Sequence, residues 1–286
     1  MRLLFLGTGT SAGIPMIGCS CAVCTSEDSR DQRLRTSAAV LFRDASGHER
    51  VVLLDAGPDL RAQALTHKLP RLDAIFFTHN HMDHILGVDE VRRFNAVMQA
   101  PIDVYADSHT MVSLRRVYKH IFEPEHNIND SFVATLVPWE IVPDAIARAT
   151  PINIHGMLFT PIPLMHGALS ILGYRVEPSK ELAAAKTPAQ RAASPFPLAY
   201  CTDVSMIPAE AWPRLTGLTT LVLGALREKP HPTHFTLTQA VNAAEKIKAK
   251  QTYFVHMAHE LPHGATQEHL PPGMFLSHDG LAIGSA

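Results

Sequence analysis

Residues 79–84 read HNHMDH and follow directly on the apolar run LDAIFFT at 72–78. His79 and His81 lie two apart, so in extended geometry their side chains share one side, and Asp83 and His84 come next as the chain turns. Three imidazoles and a carboxylate thus gather at the mouth of a strand, a donor set suited to zinc, manganese or iron. The apolar run matters as much as the histidines, because α/β active sites collect at strand ends.

Four donor residues are few for two ions, and three further donors stand at strand ends elsewhere in the chain. PIPLMHG at 161–167 ends on His166, LAYCTDVS at 198–205 carries Asp203, and TYFVHMAH at 252–259 ends its apolar run on His256. Each alone reads as an ordinary polar loop or core residue. Beside the histidine cluster they become the favoured further ligands of a dinuclear centre: His79, His81, Asp83, His84, His166, Asp203 and His256.

Short apolar runs alternate with helical patterns along most of the chain, which predicts an α/β architecture. Eleven candidate strands, from RLLFLG at 2–7 to LAIG at 281–284, suggest two sheets. The clearest helix follows His234, with Leu237, Ala240, Val241, Ala244 and Ile247 on one face and Glu245, Lys246, Lys248 and Lys250 left to solvent. Asp107 is placed to cap a second helix carrying MVSLRRVYKHIF. The stretch 123–150 resists assignment; it reads as a surface loop or an excursion over the site. AAAKTPAQRAASPFP at 183–197 reads as an exposed insertion.

A second cluster, GCSCAVC at 18–24, spaces its cysteines C-x-C-x-x-C. Cys19, Cys21 and Cys24 can give three thiolates to a tetrahedral zinc at about 2.3 Å each. His259, three residues beyond His256, is the best fourth ligand; His231, His263 and His269 are rivals. A closed shell of this kind is structural, with free thiols or an oxidised pair as the alternatives. Cys201, in an apolar segment, reads as core.

Composition narrows the classes. The 286 residues include 17 histidines, 46% hydrophobic and 18% charged residues, with a formal net charge of −2. Mean hydropathy is +0.04 and the sequence pI about 6.8. No general basic surface invites long nucleic acid. No apolar stretch reaches the roughly 18–20 residues of a membrane span, and the first residues lack a signal-peptide pattern. A cytoplasmic protein is expected, whose reducing surroundings favour metal over disulfide at the cysteines.

In order, LLDAG with Asp55, HNHMDH, His166, Asp203 and His256 resemble the motifs of the metallo-β-lactamase superfamily. That resemblance implies an αββα sandwich, an α/β (α+β) fold of two mixed β-sheets flanked by helices, as a single domain over 1–286. A zinc loop at about 18–25 and an insertion at about 180–197 would be its embellishments. It also implies that His79, His81 and His166 hold one ion, that Asp83, His84 and His256 hold the other, that Asp203 bridges them, and that Asp55 supports the ligands from behind. GTGTSAGIP at 7–15, the cysteines and HMAHE at 256–260 narrow the likeness to the phosphodiesterases that open phosphoribosyl 1,2-cyclic phosphate. There, three cysteines and a following histidine hold structural zinc, matching Cys19, Cys21, Cys24 and His259. A histidine opening the late helix contacts the phosphate or acts as acid, matching His234.

The expected function is hydrolysis of a small, cyclic or otherwise compact phosphodiester. Two divalent ions (Mn, Zn or Fe) would serve the site beside one structural zinc. Asp83 and His234 are the candidate catalytic residues, with no membrane partner and a homodimer left open. The alternatives are a nuclease of the tRNA 3′-end processing type, another hydrolase of the same fold, and a carrier protein like those of pyrroloquinoline quinone biosynthesis.

Overall fold

A computed structural model describes residues 1–128 and 131–285. One seven-stranded sheet runs in the order β14-β1-β2-β3-β4-β5-β6, from β1 (Arg2–Gly7), β2 (Ser37–Arg43), β3 (Glu49–Leu54), β4 (Ala74–Phe76), β5 (Ile102–Asp107), β6 (Leu136–Ile141) and β14 (Ala282–Gly284). The other, also seven-stranded, runs β13-β12-β11-β10-β9-β8-β7. Its strands are β7 (Ile152–Ile154), β8 (Met157–His166), β9 (Leu169–Pro178), β10 (Leu198–Cys201), β11 (Thr220–Gly224), β12 (Gln251–Val255) and β13 (Met274–Leu276). Both are mixed, with β3 through β6 parallel and β10 through β13 parallel.

The strands read as continuous apolar runs because both faces are covered. Period-2 alternation sends Leu3 and Phe5 inward, toward Phe76, Phe159, Tyr174, Tyr200 and Val222 between the sheets. Leu4 and Leu6 point outward to Leu60, Ile85 and Leu114 of the flanking helices. On the other flank Leu221, Leu223 and Phe254 meet Leu237, Ala240, Ala244 and Ile247 of the helix Leu237–Ile247. Thr236 and Gln239 close a capping box at its start. Phe76 stacks on Phe159 at 4.3 Å between centroids, and the buried Tyr174 hydroxyl donates to Phe77 O at 2.6 Å, tying one sheet to the other below the histidine cluster.

The expected Asp107 cap is present, its carboxylate accepting from Thr110 N at 2.9 Å, but the helix it opens ends at Val117 and a short turn Lys119–Phe122 follows. Three strands lie beyond the eleven expected. Two, β7 and β13, have three residues each, below the length at which alternation shows. The third, β6, lies in the stretch 123–150, of which 129 and 130 fall outside the described residues. It carries Pro138, tolerated because β6 is the edge of its sheet. That stretch is therefore in part sheet edge, followed by the helix Pro143–Ala147. The insertion forms two short helices, Lys180–Ala184 and Pro188–Ala192. Lys186 Nζ donates to Arg43 O at 2.8 Å, at the end of β2 away from the histidines, so the insertion does not reshape their pocket.

Candidate metal centre and cysteine site

Every residue proposed for the rim follows the end of a strand on one edge of the sandwich: Asp55 after β3, His79 after β4, His166 ending β8, Asp203 after β10 and His256 after β12. Two glycines let the loops approach: a Cβ on Gly57 would lie 2.1 Å from Asp83 O, and one on Gly87 would lie 2.1 Å from Gly57 O. Asn80 donates to Ser113 Oγ at 2.9 Å and to His109 Nε2 at 3.2 Å, seating the HNHMDH loop on the helix Ser108–Val117.

The ligand-grade atoms converge in overlapping groups, each with all its atoms within 4.8 Å of one another: His79, His81 and His166; Asp83, His84 and His256; His79, His84 and Asp203. Asp203 thus reaches members of both histidine sets. Its Oδ1 lies 3.1 Å from His256 Nε2 and its Oδ2 3.3 Å from His84 Nε2. His84 Nε2 is also 3.3 Å from Asp83 Oδ2. His81 alone among the rim imidazoles is exposed.

Hydrogen bonds behind the rim fix which nitrogen faces it. The fully buried Asp55 accepts from His84 Nδ1 at 2.8 Å, from Thr78 N at 2.8 Å and from Thr78 Oγ1 at 2.9 Å. The Thr78 hydroxyl, donating to Asp55, accepts in turn from His79 Nδ1 at 2.9 Å. His166 Nδ1 lies 2.6 Å from Thr233 O, and a carbonyl can only accept. All three imidazoles therefore carry their proton on Nδ1 and present the Nε2 lone pair forward, the arrangement of carboxylate- or carbonyl-backed metal ligands. His79 Nε2 and His84 Nε2 are buried without a hydrogen-bond partner, which is costly for a polar atom unless it binds something else. His256 has Thr10 Oγ1 3.3 Å from its Nε2, and its Nδ1 is the orphan. On this test the residues fit divalent metal.

Burial opposes charge on His84, yet Asp203 and Asp55 outweigh it and hold the ring's proton well above the usual histidine range, so with no ion bound Nε2 is protonated as well and a bound cation would displace that proton to gain the lone pair. Burial would likewise raise the Asp203 carboxyl, but His256, His84 and His79 together hold it well below. Burial is also the main cause that lowers His79 and His234, the latter to about 3, so both rings are neutral near pH 7. His234 Nδ1 lies 3.8 Å from Asp203 Oδ1, and its ring is 4.5 Å from His166 and 4.9 Å from His256.

The cysteine cluster is a separate site. His259 Nδ1 lies 3.3 Å from Cys19 Sγ, 3.3 Å from Cys21 Sγ and 3.6 Å from Cys24 Sγ. A zinc tetrahedron with arms of about 2.0–2.3 Å has edges of about 3.5 Å, so four atoms at this spacing surround a cation-sized space. No disulfide joins these thiols. Hydrogen bonding from Cys24 N lowers the Cys21 thiol to about 6, while burial raises Cys24 to about 11, so Cys21 ionises first. The rival histidines lie elsewhere: His231 beside His234, His263 beside His278, and His269 against Ala265 O. Sequence reasoning missed the backing groups Thr78 and Thr233, whose only signal was adjacency to a named histidine.

A family profile described as the β-lactamase superfamily domain matches residues 50–257. Among solved structures, the chain is similar to a diphosphatase from the PhnP family, at 40% identity and a TM-score of 0.82, covering 100% of this chain and 98% of that one. Zn(2+)-bound PqqB from Methylobacterium extorquens, at 19% identity and TM-score 0.73, shares the fold over 100% of both chains. The short form of human tRNase Z, also 19% identical with TM-score 0.65, shares it over 99% of this chain and 98% of that one. An octanoyltransferase of Porphyromonas gingivalis is 32% identical over 98% of this chain, which spans about half, 51%, of that relative's length. No helix among the described residues is long and apolar enough to cross a membrane. The chain belongs to the β-lactamase superfamily and has the metallo-β-lactamase fold.

Proposed function

We propose that this protein is a metal-dependent phosphodiesterase acting on a small phosphodiester, cyclic substrates included. The observation that carries the reading is Asp203, set between two histidine groups whose backed imidazoles aim lone pairs at the same rim. His79, His81 and His166 would hold one divalent ion, and Asp83, His84 and His256 the other, with Asp203 shared. Ions held there would supply Lewis acidity toward water and toward phosphoryl oxygens.

The protein's own groups do the rest. Asp55, Thr78 and Thr233 keep three rings in the ligating tautomer. His234, neutral and at the rim, is placed to donate a hydrogen bond to a phosphoryl or leaving oxygen rather than to act as a standing cation. Likeness to a PhnP-family diphosphatase at 40% identity favours phosphoryl over carbonyl substrates. The cysteine site is read as structural zinc, and a net charge of −2 does not favour tRNA. A complete rim speaks against a pure carrier role. The octanoyltransferase shares only half its length with this chain, so its acyl transfer is not carried over.

The test is to load the protein with Zn or Mn and assay bis(p-nitrophenyl) phosphate, 2′,3′-cyclic nucleotides, ribose cyclic phosphate, ADP and a thioester. Phosphoester turnover abolished by chelator and restored by metal is expected, falling by about 10²-fold in His234→Ala. Thioester cleavage without phosphoester cleavage would overturn the reading, and unchanged His234→Ala turnover would remove that residue's role.

A further inference from the structure

The edge of the sandwich away from the histidines carries a cavity of about 300 Å³. β3 delivers Asp55 to the rim from its Leu54 end, so its Glu49 end lies at this other edge, beside Arg43 of β2 and the Arg2 end of β1. One side of the cavity is the cross-strand row Arg2, Leu41 and Val51 on the outer face of the sheet. Lys68 and Leu69 form another, in the turn that ends the helix Leu60–Thr66. Lys186 and Gln190 of the insertion complete the lining. Lys68 stands at φ 50°, and Leu69 N closes the turn on Ala64 O at 3.0 Å, so a lysine holds the place where glycine commonly ends a helix.

Charge around this cavity is unbalanced. Arg43 pairs with Glu49 at 2.5 Å, Arg50 with Asp44 and Asp73 at 2.9 Å each, and Arg71 with Asp73 at 2.7 Å, so three guanidinium groups and three carboxylates cancel. Among the described residues, no carboxylate comes within ion-pair distance of Arg2, Lys68 or Lys186, which line the same space. Lys186 Nζ donates to Arg43 O at 2.8 Å and has two N–H groups left, and Arg2 Nε is buried with no hydrogen-bond partner. A buried donor without an acceptor is costly, and an anion in the cavity would supply one. The volume is at the low end for ligand pockets, and Leu41, Val51 and Leu69 give it apolar sides, which suits a ligand with a short apolar body.

We propose that this cavity binds a small organic anion, a phosphate or sulfate ester with a short apolar body, whose head meets Arg2, Lys68 and Lys186 and whose body lies along Leu41, Val51 and Leu69. The site is separate from the histidine rim and independent of the phosphodiesterase reading. It gives the 180–197 insertion a part to play, since that insertion supplies one of the three cations.

Calorimetry on the metal-loaded protein would titrate hexyl phosphate, hexyl sulfate, inorganic phosphate and hexyltrimethylammonium. Both hexyl esters are expected to bind, and to bind still in Asp203→Asn, which separates the cavity from the rim. Lys186→Met and Lys68→Asn, the latter suited to the left-handed turn, should each weaken them about tenfold, the worth of one hydrogen bond to a charged group. Lys68→Arg, which keeps the charge, should bind as the native protein does. Inorganic phosphate, which has no apolar body, should bind about tenfold more weakly than hexyl phosphate, and the hexyl cation should not bind. Melting curves of each variant confirm that the fold is intact. No ester binding in the native protein, equal binding of the cation, binding abolished by Asp203→Asn, or binding unchanged in both lysine variants would overturn the proposal.

Discussion

Replacing Asp55 by asparagine isolates the role of the charge behind the rim. Asp55 is fully buried and accepts three hydrogen bonds, two from Thr78 and one from His84 Nδ1 at 2.8 Å. Its backbone sits at φ 64°, a region asparagine tolerates, so the substitution adds no strain. Asparagine can still take the Thr78 N–H on its oxygen. Its amide nitrogen then faces His84 and, being a donor, forces His84 Nδ1 to accept, which moves the ring proton to Nε2 and covers the lone pair aimed at the rim. Losing such a backing partner costs 10- to 100-fold in metal affinity, or about 1.4–2.7 kcal/mol. Zinc or cobalt titration against a competing chelator measures it, and the weakened ion should be the one nearer His84. Asp55→Ala should lose more overall, because Thr78 N–H and His84 N–H are then both buried without partners at about 1–3 kcal/mol each. Native affinity in Asp55→Asn would refute the tautomer argument. Equal affinity losses in the two variants would show that packing, not the proton's position, governs the site.

Two further outcomes are expected. Cys21→Ser should remove close to one equivalent of zinc and lower the thermal midpoint, because the apolar cluster beneath the 18–25 loop is small, with Ile14, Val23 and Cys24 buried in it; full zinc content by elemental analysis would rule out the thiolate site. Arg33→Met should destabilise the fold by about 3–5 kcal/mol in urea titration. Its buried guanidinium pairs with Asp31 at 3.0 Å and donates to Ala258 O and Leu261 O, and removal leaves the buried Asp31 charge without a counter-ion, with the His263 N–H at 2.8 Å still donating to it. A loss under 1 kcal/mol would mean that water replaces the pair.

Much of this architecture is legible in the sequence for a physical reason: strands covered on both faces must be apolar throughout, so RLLFLG or TTLVLGAL declares itself, and a polar residue ending such a run is conspicuous. His166, Asp203 and His256 stand out that way, and the fold brings their side chains together. His259 stands out because three residues past His256 is far enough to turn out of the rim, and the fold brings it against the cysteines. Strand β6 escaped because an edge strand may carry Pro138 and expose Trp139, which blurs alternation. Thr233 escaped because its part is played by a main-chain carbonyl on His166, and any residue type offers a carbonyl. The outward pair His231 and His234 is visible in HPTH, but which faces the rim depends on distances that sequence does not carry.

Three residues of the site, Asp55 behind the rim and Asp203 and His256 on it, stand in left-handed backbone at φ 64°, 58° and 58°, each just after its strand ends. For a residue with a Cβ that conformation costs of order 1–3 kcal/mol. The fold therefore gives up several kcal/mol at the three places where a glycine would relax it. Selection for backbone relief alone would empty these positions of their side chains. A search for thermostable variants made without metal would be drawn to Asp203 and His256, and each gain in melting temperature there would cost a donor; at Asp55 the relief would be offset by the Thr78 and His84 N–H groups left without partners.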